Sequence, residues 1–269
     1  MRALAQVASA LATAVCACSL VVGTDGLTGG AGSELPIDAA GLDAAVIDAT
    51  GDASKTTWCG QQTGFAFCED FDTPDASLSA RWDQVFSNSG SIAIDGVNPF
   101  SPPGALLTIV PNPGTRNDEQ LSKAFPSHGS TRVALDLLLE ASDSSGYGSV
   151  AEIHLDPLPA GFTEYRVALI NDAGMMTLNA YTAGSVAGET SMPLQRSFGA
   201  WRRVQLELAL VPTPRAVAYD EAGSVIVSLP MPATVASAGT RVVVGLPYLT
   251  NATKPWRVRI DDVVVSLAN

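Results

Sequence analysis

The chain has 269 residues and a formal charge of −12, with 27 acidic against 15 basic side chains and a pI near 4.4. That balance argues against nucleic acid or an anionic lipid surface as partner, since both would repel it. Few aromatics with 24 glycines and 17 prolines fit a turn-rich β protein, and all-β sandwiches of this length commonly form one domain. In chain order, residues 1–18 carry one charge, Arg2, ahead of an apolar run of small residues. The run is shorter than the ~20 residues that span a bilayer, so it predicts an export signal. Residues 19–57, rich in Gly, Ala, Asp, Ser and Thr with no sustained period, predict a flexible tether.

The folded part is expected at 58–269. Short alternating runs predict strands at 65–71, 82–86, 91–94, 105–110, 119–125, 132–140, 149–156, 164–170, 175–181, 241–249 and 257–267, separated by Pro- and Gly-bearing turns. The stretch 201–231 is the clearest, and the chain is read as built around it. Val204, Leu206, Leu208 and Leu210 alternate with Arg203, Gln205, Glu207 and Ala209. Pro212 and Pro214 end that run, after which Val217 and Tyr219, then Val225, Val227 and Leu229, resume it. Each such side chain gains about 1.5–3 kcal/mol when buried, against roughly 1–2 kcal/mol for fixing each residue's backbone. A second sheet must therefore cover the apolar face, which predicts an antiparallel two-sheet sandwich. No helix-period run of useful length and no internal repeat occurs in 58–269.

After export, Cys59 and Cys68 are the cysteines left besides Cys18, so a disulfide is expected, worth roughly 2–3 kcal/mol. Two cysteines with only His128 and His154 give no zinc spacing. Gly146-Tyr147-Gly148 lacks the context of a nucleotide loop, and no Gly-x-Ser-x-Gly elbow occurs. Asn251-Ala252-Thr253 is a formal glycosylation sequon.

Two resemblances extend this reading. Val15-Cys16-Ala17-Cys18 resembles a bacterial lipobox, and the Gly-rich run after it resembles the start of myxobacterial-type lipoproteins. This implies lipid on Cys18 and attachment to the cell envelope at the outer membrane, although Cys16 is unusual there and an ordinary signal-peptidase cut is the alternative. Phe67-Cys-Glu-Asp-Phe-Asp72, Gly199-Ala-Trp201 with the strand after it, Val217-Ala-Tyr219-Asp220-Glu-Ala-Gly223, and Arg259-Ile-Asp-Asp-Val-Val-Val265 together resemble the concanavalin A-like lectin/glucanase jelly roll, including laminin-G-like domains. The resemblance spans about 65–268 and implies fold more than activity.

With Ile153 and Leu155 turned inward, Glu152, His154 and Asp156 share the other face of their strand. In the laminarinase-type glucanases this strand reads Glu-x-Asp-x-Glu, which would make Glu152 the nucleophile and Asp156 the acid/base, with His154 in place of the middle aspartate. A retaining pair needs carboxyls about 5–5.5 Å apart, and residues four apart on a strand begin about 13 Å apart at Cα. An aspartate closes that gap poorly. The Ile-His pair also resembles the histidine strand of alginate-lyase-type sandwiches, but the arginine-rich and tyrosine-lysine motifs of that family are missing. By the same parity Glu164 and Arg166, then Thr177, Asn179 and Tyr181, point outward. On the concave sheet that the resemblance implies, Glu152, His154, Arg166, Asn179 and Tyr181 would form a sugar-binding surface. Asp261, with Asp70 or Asp72, stands where the glucanases bind a structural calcium; no cofactor is required. The expectation is thus an exported lipoprotein presenting a non-catalytic sandwich that binds a glycan or cell-surface polymer. A divergent hydrolase or polysaccharide lyase on strand 151–156, and a structural envelope protein without a ligand, are the alternatives.

Overall fold

The computed structural model describes residues 57–269 apart from 74–76, 112–116, 143–145, 173, 185–186, 195–198 and 233–237. Cys18, the export segment and all of the 19–57 tether except Thr57 lie outside the described residues. Fifteen strands are described: β1 (Phe67–Glu69), β2 (Gln84–Ser87), β3 (Ser91–Asp95), β4 (Ala105–Val110), β5 (Asn117–His128), β6 (Ser130–Ala141), β7 (Tyr147–Leu155), β8 (Phe162–Asp172), β9 (Met175–Gly184), β10 (Gly188–Pro193), β11 (Arg202–Ala209), β12 (Arg215–Tyr219), β13 (Val225–Pro230), β14 (Ala238–Thr250) and β15 (Trp256–Ala268). Their pairings are antiparallel and make two sheets, β13-β12-β11-β6-β15-β4-β3 with β1 added along β15, and β10-β9-β8-β7-β14-β5-β2. This is the predicted jelly-roll sandwich.

Alternation in the sequence becomes burial in the structure. Val204, Leu206 and Leu208 are buried, as are Val133, Leu135 and Leu137 of β6 and Ile153, Val167 and Leu169 of β7 and β8, all in one core between the sheets. β11 and β12 pack over β8 and β9, so the clearest stretch of the sequence lies beneath the sheet that carries the predicted polar row. It is not the centre of the fold. β11, β12 and β13 form one edge of their sheet, while β6 and β15, with 12 and 13 residues, run through its middle. A period of two reports that a strand has one covered face and says nothing of its place in the sheet.

β10 and a helical turn escaped the sequence pattern. β10 is exposed along its whole length, so it shows no apolar alternation. A single helical turn, α1 (Leu78–Arg81), is too short to show a helical period. The expected disulfide joins Cys59 to Cys68 and ties the segment before β1 to the strand itself.

Candidate functional site

The outer face of the β10-to-β2 sheet carries a groove of about 510 Å³, within the range of ligand pockets. Register sets its floor. His154 of β7 pairs with Arg166 of β8, which pairs with Tyr181 of β9; one step along, Glu152 faces Ala168, and Ala168 faces Asn179. On the other flank β14 sets Arg241 beside His154, Val243 beside Glu152 and Tyr248 beside Ser149. Gln120 and Ser122 of β5, with Gln84 of β2, extend the floor, and Asp156 to Leu158 and Thr163 line it after β7 and at the start of β8. A bulge in β14 between Val244 and Tyr248 brings the Tyr248 ring into the groove. It requires Gly245, at φ 118°, where a Cβ would come within 2.5 Å of the Glu119 carbonyl oxygen.

Glu152 is the hub. It is almost fully buried, with Oε2 2.6 Å from His154 Nε2 and Oε1 accepting from an Arg166 terminal nitrogen at 2.9 Å. Burial alone would raise its pKa, but the hydrogen bond and charge of His154 and the charge of Arg166 outweigh it and hold the carboxyl at about 2. Arg166 Nε also lies 2.9 Å from Glu164 Oε1, within ion-pair distance but without hydrogen-bond geometry. The Arg166 guanidinium sits 5.3 Å from the centre of the Tyr181 ring. Asp156 pairs with the Arg241 guanidinium. Tyr147 stands edge-on to Tyr248, ring centres 6.1 Å apart, and burial followed by the charge of Glu189 pushes its phenol up to about 12.

The predicted residues therefore share one sheet face but divide in their tasks. Glu152, His154, Asp156, Glu164 and Arg166 line the groove. Tyr181 lies under Arg166, and Asn179 is buried and donates to Glu189 of β10 at 2.7 Å, so neither lines it. Sequence reasoning missed Arg241, Tyr248, Gln120 and Gln84. Parity marks Arg241 and Gln120 as outward, but nothing local says that 241–249 pairs with 149–155.

A second charged region lies at the other sheet. β15 carries a bulge after Asp261, with Asp262 at φ 47°. Asp70, Asp72, Asp136, Asp261 and Asp262 are all buried there. Arg203 pairs with Asp136 and lies 5.2 Å from the centre of a Trp58 ring. Burial, then the charges of Asp262 and Asp72, push Asp261 up to about 8; burial, then Asp136 and Asp70, raise Asp262 to about 6; burial, then Asp70, raise Asp72 to about 6. For the calcium that the resemblance implies, Asp261 is poorly disposed. Its Oδ2 accepts from the Phe100 and Ser101 amides at 3.1 and 2.9 Å and its Oδ1 from the Asp262 amide at 2.9 Å. Asp70 likewise accepts from the Cys59 amide at 2.9 Å. Among the described residues no group of three or more His, Cys, Asp or Glu side chains that could hold a metal ion is found.

No family model and no curated protein matches the chain. Solved structures do. A cellulose-induced protein, Cip1, is 12% identical with a TM-score of 0.52, over 74% of this chain and 96% of that one. A carbohydrate esterase of the Shiga toxin-encoding bacteriophage phi24B is 11% identical with a TM-score of 0.51, over 76% and 99%. The alginate lyase vAL-1 from Chlorella virus is 8% identical with a TM-score of 0.50, over 71% and 94%. At these identities the likeness is one of fold.

Proposed function

We propose that this chain is an exported lipoprotein of the bacterial envelope, anchored through Cys18, that binds a glycan in the groove over β7 without cleaving it. The observation that carries the binding reading is the groove itself: a fixed floor of carboxylates, amides and guanidiniums beside the Tyr248 ring. Such a surface can meet a sugar's hydroxyls and its apolar ring face together. The names of the similar folds, tied to cellulose, carbohydrate esters and alginate, are in keeping with a carbohydrate ligand.

The charge states favour holding over hydrolysis. A retaining glycosidase needs one carboxyl kept protonated as acid and a second free to attack. Glu152 is held ionised with both oxygens engaged, and Asp156 is tied to Arg241. A lyase with His154 as base is the second reading, favoured by the hydrogen bond to Glu152 that fixes the imidazole in the groove. Glycan-array binding by the purified protein, lost in Tyr248→Ala with melting unchanged, is the expected result. Turnover of a β-glucan or a polyuronate would instead assign an enzyme. For the anchor, metabolic labelling with a lipid precursor should mark the wild type and leave Cys18→Ser unlabelled.

A further inference from the structure

The groove presents four carboxylates, Asp118, Glu152, Asp156 and Glu164, against two guanidiniums, Arg166 and Arg241. Both guanidiniums are already matched, Arg166 by Glu152 and Glu164, and Arg241 by Asp156. The imidazole of His154 is likewise committed through Nε2 to Glu152. These partners differ in how firmly they hold. The Glu152 side chain is 3% exposed and grips from beneath, whereas that of Glu164 is 34% exposed and can swing into solvent.

A glycan that carries a carboxylate on each residue needs a cation whose charge is not already matched, and strong recognition of carboxylates is the bidentate work of unmatched arginines. Here a uronate would have to share Arg166 with a buried carboxylate, or Arg241 with an ion-paired one, in a groove whose carboxylates outnumber its guanidiniums. An uncharged sugar meets no such obstacle. Its hydroxyls can donate to Glu164 and exchange hydrogen bonds with the amides of Gln84 and Gln120.

Building on the reading of this groove as a glycan site, we infer that it selects neutral glycans over polyuronates, and that Glu152 sets the selectivity by occupying Arg166 and His154 from below. Glu152 is a specificity-determining residue that acts through its two partners. Glu152→Gln keeps the shape and removes the charge, which frees Arg166 and His154 to face a ligand carboxylate.

Affinity electrophoresis of the whole protein tests this, with a panel of neutral polysaccharides (β-glucan, mannan, xylan) and with alginate in the gel. The wild type should be retarded by a neutral polymer and bind alginate at least about tenfold more weakly, the worth of one charge-assisted hydrogen bond. Glu152→Gln should gain about tenfold for alginate, and salt should abolish the gain because it is ionic. Should that variant fail to fold, Glu164→Gln removes the more exposed partner and should give a smaller, equally salt-sensitive gain. Wild-type protein that binds alginate as tightly as any neutral polymer overturns the selectivity and leaves the glycan site standing. Folded Glu152→Gln and Glu164→Gln that gain nothing overturn the role of Glu152. Retardation by none of the polymers overturns the glycan site, and the selectivity with it.

Discussion

Glu152 in the groove and Asp261 at the other sheet are both almost fully buried, yet one is held near pKa 2 and the other is pushed to about 8. Burial works in the same direction on both. The difference lies in what surrounds them: a guanidinium and an imidazole at Glu152, but Asp262 and Asp72 at Asp261. Arg203, the cation paired within the acidic set, is joined to Asp136. Burial raises both, and at Glu152 the neighbouring cations overturn it. The groove thereby becomes a charged surface with a fixed pattern, whereas the acidic set is a cluster of like charges at the β1–β15 pairing whose carboxyls burial makes harder to ionise.

Removing the Arg166 guanidinium should narrow the difference. Arg166→Leu strands the Glu152 carboxylate, and denaturant unfolding at pH 7 should show a loss of about 3–5 kcal/mol. The Glu152 pKa, followed by NMR, should rise toward that of the acidic set. An unchanged pKa would mean that His154 alone suffices. Opening the disulfide by Cys59→Ser with Cys68→Ser should cost less, about 2–3 kcal/mol for a bridge whose ends are nine residues apart.

The acidic set makes a finer test. Carboxyls raised by folding contribute stability that is fully present below their unfolded pKa and is lost as pH rises through the folded one. Asp72, Asp262 and Asp261 should therefore withdraw stability as pH climbs past about 6 and then about 8. Glu152 runs the other way, its contribution present above 4.5 and lost as pH falls through about 2. The two together place the stability maximum in mildly acidic solution. Asp262→Asn should gain about 1–2 kcal/mol over the wild type at pH 8 and nothing near pH 3, read from denaturation across pH. The smallest expected effect is that of a chelator: because Asp261 spends its oxygens on amides, EDTA should leave the melting temperature unmoved.

Much of this was legible in the residues, and the gaps have physical causes. Period-two burial is written locally, so the strand holding Glu152, His154 and Ile153 could be oriented with its polar side outward before any partner was known. The same parity put Arg166 and Tyr181 on that face, where register sets them side by side. Which strands meet is decided by the fold as a whole. Arg241 and Tyr248 reach the groove only because β14, some ninety residues further on, slots in beside β7 with a bulge at Gly245. Asn179 looked like a ligand contact but faces β10, an exposed edge strand without apolar alternation, and gives its amide to Glu189 there. The acidic set could be suspected from Asp70, Asp72 and Asp261, but its pairing with Arg203 could not, since Asp136 and Arg203 lie 67 residues apart and Trp58, against Arg203, is further away still.

The proposed glycan site rests most directly on the groove's aromatic and amide side chains, away from its ion pairs. Calorimetric titration of the whole protein with the neutral polysaccharide that retards it most should give saturable binding, lost when Tyr248→Ala and Gln120→Ala are combined, while the melting temperature stays within a degree or two. Binding that survives in this double variant, or that is absent with every polymer tried, would contradict the assignment of the groove over β7 as the binding site.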